Sequence, residues 1–299
     1  MKAEKDTIWG QISREIETYD EAQLDSNPRF AKGQKDIIKL IDLYWMSLYR
    51  DGDSDDSGFK KGFYNIVEHA SQVATKMIDL DTKDIKVIAE EGQSYYPSWL
   101  FEKELKLWMK TEKNQDDKTF GQFLNQMVYN WPKYGHIVVK KAQDTVYLVP
   151  LQNIVNINDA RSILDSDYII ERHDYTADQL REQPWDKDKI ETIINEDESE
   201  DGIITIYERH GPLEGSDDNY FIVPKNSEDR HILYQSKIDR KDLYKELKWD
   251  DVAGRALGRG QVEKLFENQI AKNILENLLR VGYRWTSKHI FQTRDVTVN

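Results

Sequence analysis

Apolar residues recur at helical spacing through the first 130 positions of the chain and at strand spacing after that. The stretch 34–49 is the clearest case, with Ile37, Ile38, Ile41, Tyr44, Trp45 and Leu48 on one side of a 3.6-residue period. Segment 8–19 has the same pattern, and a third helix is expected from about Phe59 to Ile78. A short strand is expected in "KDIKVIAEE" (83–91). "PSWLFEKELKLWMK" reads as a helix opening at Pro97 and Ser98 and running to Lys110. Residues 119–131 read as a further helix, ended by Pro132 and Gly135.

Beyond Gly135 the pattern becomes β-rich. "GHIVVKK", "TVYLVP", "IVNI", "DYIIERHDY", "GIITIYERHG", "NYFIVP" and "RHILYQS" are short runs of β-favouring residues between turn residues. One helix, "TADQLREQ", interrupts them with Thr176 as its N-cap, and the acidic "NEDESEDG" reads as a hairpin or mobile loop. A helix returns at Gln261 and runs to about Arg280, and the closing "YRWTSKHIFQTRDVTVN" reads as strand-like. The expected class is α+β: a helical region 1–58, an α+β region 59–253, and a long helix opening a further region over 254–299. Regular βαβ alternation is missing, which argues against a doubly wound nucleotide-binding sheet. "DVTVN" breaks off inside a β-like segment, so the chain is expected to be a piece of a longer protein.

Composition narrows the functional classes. The formal net charge is −13, whereas proteins that grip DNA by neutralising phosphates carry a basic excess. The chain has no cysteine, and hence no disulfide framework, thiolate metal site or cysteine nucleophile. No apolar run approaches the length that spans a bilayer. Eight Trp and sixteen Tyr in a chain that is 32% charged fit aromatics buried partly between subunits.

The familiar chemical motifs fail on inspection. Asp51, Asp53 and Asp55 match the first EF-hand positions, but Asp56 replaces the turn glycine and Gly62 the bidentate glutamate, which leaves a solvated loop. His69, His136, His173, His210, His231 and His289 show no metal-ligand spacing, and no GxSxG elbow is present. "ERHDY" (171–175) and "ERHG" (208–211) read as strands ending in solvated polar residues. Gly254, Gly258 and Gly260 do not make a phosphate loop, because Glu263 stands where the third glycine belongs and no GK[ST] follows. The glycines are read as allowing a tight turn and close backbone approach. No catalytic, cofactor-binding or metal-binding residue is assigned.

The helix after the glycines has an unusual face. Val262, Leu265 and Phe266 share one side, but that line continues through Gln269, Asn273, Glu276 and Arg280, while the apolar side moves to Ile270, Ile274, Leu275 and Leu278. Gln269 and Asn273 then suit a hydrogen-bonded contact with another chain, and Arg255 and Arg259 a contact with a neighbour's carboxylates. A helix buried on two sides within one chain fits the same pattern.

"WDDVAGRALGRGQVEKLFENQIAKNILENLL" resembles the GR-x2-G-x-G … E-x-L … Q-x3-N segment of the portal proteins (head–tail connectors) of tailed bacteriophages. "FYNIVEHASQVATKMIDLDTKDIKV" is similar to their early helix leading into a strand. "TFGQFLNQMVYNWPKYGHIVVKK … VYLVPLQNIVNI … DYIIERHDYTADQLRE" is similar to the helix, turn and sheet of the portal wing. The resemblance implies a non-enzymatic subunit of a twelve-membered ring at one capsid vertex of the virion, assembled in the host cytoplasm. Its implied partners are the major capsid protein, the terminase, adaptor and tail proteins, and double-stranded DNA that passes without sequence-specific binding; no cofactor and no membrane are implied. The acidic balance suits a tunnel through which DNA slides. Two rivals stand beside it: a metal-dependent nuclease, or other nucleic-acid enzyme, with a dispersed carboxylate site, and a monomeric adaptor module of a virion.

Overall fold

The computed structural model describes residues 8–22, 31–49, 52–55, 58–78, 82–114, 117–142, 145–155, 162–196, 201–225, 231–238, 243–253 and 255–287, and the statements that follow concern these. Helices α1 (Ile8–Ala22), α2 (Ala31–Trp45), α3 (Ile66–Ile78), α4 (Tyr95–Thr111) and α5 (Phe120–Tyr134) precede the first strand. Strands β1 (His136–Ala142) and β2 (Thr145–Val149) form a hairpin, and β3 (Ile169–Thr176) follows. Helices α6 (Ala177–Glu182) and α7 (Lys187–Glu196) lead into β4 (Ile203–His210), β5 (Tyr220–Pro224), β6 (Tyr234–Ser236) and β7 (Tyr244–Lys248). The described part closes with α8 (Gln261–Lys264) and α9 (Phe266–Ser287). The class is α+β, with antiparallel pairing throughout two sheets ordered β2-β1-β7 and β3-β4-β5-β6.

Local chemistry accounts for several boundaries. Thr119 and Gln122 form a reciprocal capping box at the start of α5, and Thr176 and Gln179 do the same for α6, as the Thr176 N-cap reading expects. Gly135 ends α5 at φ +76°, a conformation that favours glycine, while Pro132 lies inside the last turn and does not stop the helix. Helix α4 starts at Tyr95 with Ser94 at its N-cap, two residues ahead of Pro97, which the first turn accommodates because no helical bond needs its missing N–H.

Elsewhere the structure departs from the sequence pattern. Helix α3 begins at Ile66 and not near Phe59, because Asn65 caps it by accepting from the Glu68 amide (3.0 Å) and the preceding residues form a turn. In that turn Ser54 bridges Lys60, and Asp55 accepts from the Phe59 amide at 2.8 Å. "KDIKVIAEE" is a 3-10 turn (Thr82–Asp84) followed by extended chain without a ladder partner among the described residues; the Val87 amide donates to Glu102 of α4 instead. Helix α7 and strand β7 were not expected, although Ile190, Ile193 and Ile194 have helical spacing. Of the acidic run 195–202, residues 197–200 lie outside the described set. The last helix breaks at Leu265 (ψ 5°) and then runs to Ser287, so "YRWTS" is helical; residues 288–299, with the expected strand, lie outside the described residues.

The larger sheet is covered on both faces. Ile170, Tyr207, Phe221 and Val223 pack against Ile12 and Ile16 of α1. The opposite face packs Ile204, Ile206 and Ile222 against Leu180, Ile190 and Ile193 of α6 and α7, while its Ile169 end meets Val138, Val149 and Tyr244 of the smaller sheet. Arg209, 1% exposed, ties α1 to β4 through a two-pronged pair with Glu15 (2.7 and 2.8 Å) and donates to the Gly211 and Pro212 carbonyls. Among the described residues no helix is long and apolar enough to cross a membrane.

The glycines before α8 pack backbone to backbone against the α5–β1 turn. A Cβ on Gly258 would lie 2.2 Å from the Gly135 oxygen, and one on Gly260 would lie 2.6 Å from both the Gly135 nitrogen and the Lys133 oxygen. The Trp249 amide donates to the Gly135 carbonyl (2.8 Å), and the Gly258 amide to His136 Nδ1 (3.2 Å). Close approach is therefore the role of Gly258 and Gly260; Gly254 lies outside the described residues. Since the three nearest neighbours of a Gly260 Cβ are all backbone atoms, at 2.6–2.8 Å, Gly260→Ala forces the turn and α8 apart. We expect it to cost about 1–3 kcal/mol, measured as a lowered urea midpoint, with Gly282→Ala as a control whose Cβ meets open space on helical backbone.

Candidate functional site

The two Glu-Arg-His triplets face each other. Strands β3 and β4 pair antiparallel with Glu171 opposite Glu208, Ile169 opposite His210 and His173 opposite Ile206. Side chains alternate along a strand, so Glu171, His173, Glu208 and His210 share one face while Arg172 and Arg209 take the other. That face lies between the two sheets. Glu171 is 1% exposed, Glu208 9% and His210 2%, so these residues are interior and not solvated strand ends. The expectation of solvated ends holds for Arg172 and Asp174, which are exposed, and fails for Glu171, Glu208 and His210, because the alternation of a single strand does not report what covers each face.

Lys140 from β1 closes the cluster. Its ammonium lies 3.0 Å from Glu171 and 2.6 Å from Glu208. His173 Nε2 is 3.0 Å from Glu208 and 3.5 Å from Glu171, and His210 Nε2 is 2.9 Å from Glu208. Tyr244, opposite Lys140 on β7, donates its hydroxyl to Glu171. Tyr220 stacks on His210 with ring centroids 4.4 Å apart. In front of the cluster is a cleft of about 910 Å³ walled by Tyr147, Tyr175, Trp185 and Tyr220, and His173 reaches it with a quarter of its side chain exposed.

Protonation follows from this geometry. Burial disfavours the charge on His173, but hydrogen bonds to Glu171 and Glu208 and their negative charge outweigh it and raise its pKa to about 9. Burial likewise opposes the charge of Lys140, and the two glutamates raise it to about 12. Against the same burial, Lys140 and the histidine hydrogen bonds hold Glu208 well below the usual carboxylate range, and Lys140 lowers Glu171. Tyr244 is pushed well up, by burial first and then by the Glu171 charge.

Glu171, His173 and Glu208 could hold a metal by position, since one ligand atom from each lies within 4.8 Å of the others. The charges argue otherwise. Two carboxylates face two cations, Lys140 and protonated His173, so the cluster is already neutral and Lys140 occupies the cation's place between the carboxylates. A divalent ion would have to displace that ammonium. Sequence reading missed this cluster although the repeated triplet was visible; the pairing register that joins the triplets, and Lys140 and Tyr244 from the other sheet, were not.

The residues assigned to a subunit contact lie elsewhere, on α8, α9 and the loop before them. Gln269 and Asn273 are 0% and 4% exposed and turned inward. Gln269 accepts from the Ile66 amide (2.9 Å) and donates to the Tyr64 carbonyl (2.7 Å) and to Asn273 (2.8 Å). Asn277 extends the row by accepting from the Gly62 amide at 2.8 Å. These amides hydrogen-bond an extended segment outside the two sheets, so Gln269 and Asn273 face the chain's own backbone, while Glu276 and Arg280 of the same line stay at the surface. Arg255 makes a two-pronged pair with Glu263 at 2.6 Å and donates to the Leu257 and Gly258 carbonyls, which removes it from a neighbour's reach. Arg259 stays half-exposed beside Asp250, which also takes Lys264. Of the EF-hand-like aspartates, Asp53 accepts from the Tyr49 amide, and Asp55 pairs with Arg284 at 3.4 Å besides accepting from Phe59; Asp51 and Asp56 lie outside the described residues.

Removing Lys140 leaves two buried carboxylates opposed, so Lys140→Met should cost about 3–5 kcal/mol, read by urea denaturation. Adding Glu171→Gln to that variant should recover part of the loss. The histidine gives a pH signature. Its folded pKa of about 9 exceeds the ordinary 6.5, so its contribution is complete below pH 6.5 and is lost as pH rises through 9. Stability should therefore fall between pH 6.5 and 9, and His173→Gln should flatten that slope.

No family model matches the chain and no curated protein matches it.

Proposed function

We propose that this chain is a subunit of a portal ring, the structural conduit at a capsid vertex for DNA packaging and ejection. In that role it docks terminase and then adaptor and tail proteins, contacts the major capsid protein, and works in the virion after assembly in the host cytoplasm. The observation that carries the reading is the inverted polarity of α9. Its amides face the body of the chain, while Ile270, Ile274, Leu275, Leu278, Val281 and Trp285 are 39–62% exposed. Apolar surface of that extent on one helix marks a face that is buried on assembly. The net charge of −13 supports a lumen that DNA crosses without sticking. The resemblance of the glycine-to-helix segment, and of the segments over 63–87 and 119–182, to portal proteins points the same way.

The Glu171, His173 and Glu208 cluster is what would favour the rival reading, a metal-dependent nuclease. Native mass spectrometry and negative-stain imaging of the purified chain, with a DNA-cleavage assay in magnesium or manganese, separate the two. A closed ring of about twelve copies without cleavage is expected. A monomer that cuts DNA when metal is added would overturn the proposal.

A further inference from the structure

The helical layer ends in two bare apolar faces. Helix α4 packs on α5, α5 on α3, and α3 on α9, so α4 and α9 lie at opposite ends of the row. The second half of α4 is anchored by Met109, 2% exposed, and by Trp108 against Phe120 at 5.7 Å. Its first half projects: Tyr95, Tyr96, Trp99, Leu100 and Phe101 are all 40–68% exposed, with Tyr96 stacked on Trp99.

At the other end, Ile274, Leu278, Val281 and Trp285 follow one another at spacings of four, three and four residues, the pattern of a helix seam, with Ile270 and Leu275 beside them. Eight apolar side chains of α9, from Ile270 to Trp285, are 39–70% exposed. Six of them, Ile270, Ile274, Leu275, Leu278, Val281 and Trp285, share one side of the helix and offer on the order of 600 Å², approaching the roughly 800 Å² that each partner buries in an interface of standard size.

Charge and symmetry select the occupant. Copies of a chain with net charge −13 repel, so contact between them needs uncharged surface. Residues 93–101 carry no charge, and neither does the α9 seam. A closed ring requires a heterologous contact between two different patches, whereas α9 against α9 would give a two-fold dimer and leave α4 bare.

We infer that the aromatic first half of α4 docks on the apolar face of α9 of the next copy of this chain. The inference rests on the ring reading and specifies which surfaces make it. A knob with aromatic side chains on several sides meets a row of branched aliphatic ones, and because the two patches lie at opposite ends of one layer, each copy offers a patch to both neighbours.

The chain has no cysteine, which makes cross-linking clean. W99C and L278C, one isotopically labelled, are assembled together and mildly oxidised, and the products are identified by mass spectrometry. Disulfides joining one W99C chain to one L278C chain are expected at least tenfold above either homodimer. W99D and L278D, checked for cooperative melting, should each reduce rings to monomers. An unmodified chain that forms rings, yields L278C–L278C dimers or no cross-link, and tolerates both aspartates would overturn this docking while leaving the ring intact. An unmodified chain that stays monomeric would overturn both.

Discussion

The contact of Gly135 with Gly258 and Gly260 sets the position of everything C-terminal to the sheets. Three residues without side chains let the loop before α8 lie directly on the turn that ends α5 and starts β1. One turn thus fixes the exit of a helix, the entry of a strand and the origin of α9. Two hydrogen bonds, from Trp249 to the Gly135 carbonyl and from Gly258 to His136, hold the approach in register. Arg255 and Glu263 then staple the loop to the first turn of α8. The direction of α9, and hence the face it shows to solvent, follows from that anchoring.

The second organising interaction is electrostatic. Lys140 joins the two sheets by standing between Glu171 and Glu208, while His173 and His210 hydrogen-bond Glu208 and Tyr244 hydrogen-bonds Glu171. Such a cluster adds less to stability than its Coulomb energy suggests, because burying each charge costs several kcal/mol. It does specify how the sheets meet, since a slip of one residue in the β3–β4 register would put a glutamate opposite an arginine and turn its neighbours to the wrong face. The cluster is a charge-balanced joint between the two sheets.

Helix α9 carries these constraints to the surface of the chain. In a helix packed on its own core, apolar residues face in and polar ones out. Here Gln269, Asn273 and Asn277 face in because the segment from Gly62 to Ile66 has backbone groups that no strand satisfies. Leucines and isoleucines are left outward. Polarity inversion of this kind was legible as a rotation of the apolar stripe along 261–280. Which side was inward was not legible, because it depends on a loop 200 residues earlier.

The sequence by itself determined the helices of the first half, the capped starts at Thr119 and Thr176, most strands, the α+β class and the close-packing role of the glycines. These are local matters: spacing, capping and steric exclusion act within a few residues. Only the tertiary structure decided that the two Glu-Arg-His triplets meet in the interior, that Lys140 neutralises them, and that Gln269, Asn273 and Arg255 turn inward. Burial and pairing belong to surfaces brought together from distant parts of the chain, and the polarity of one segment does not say what will cover it.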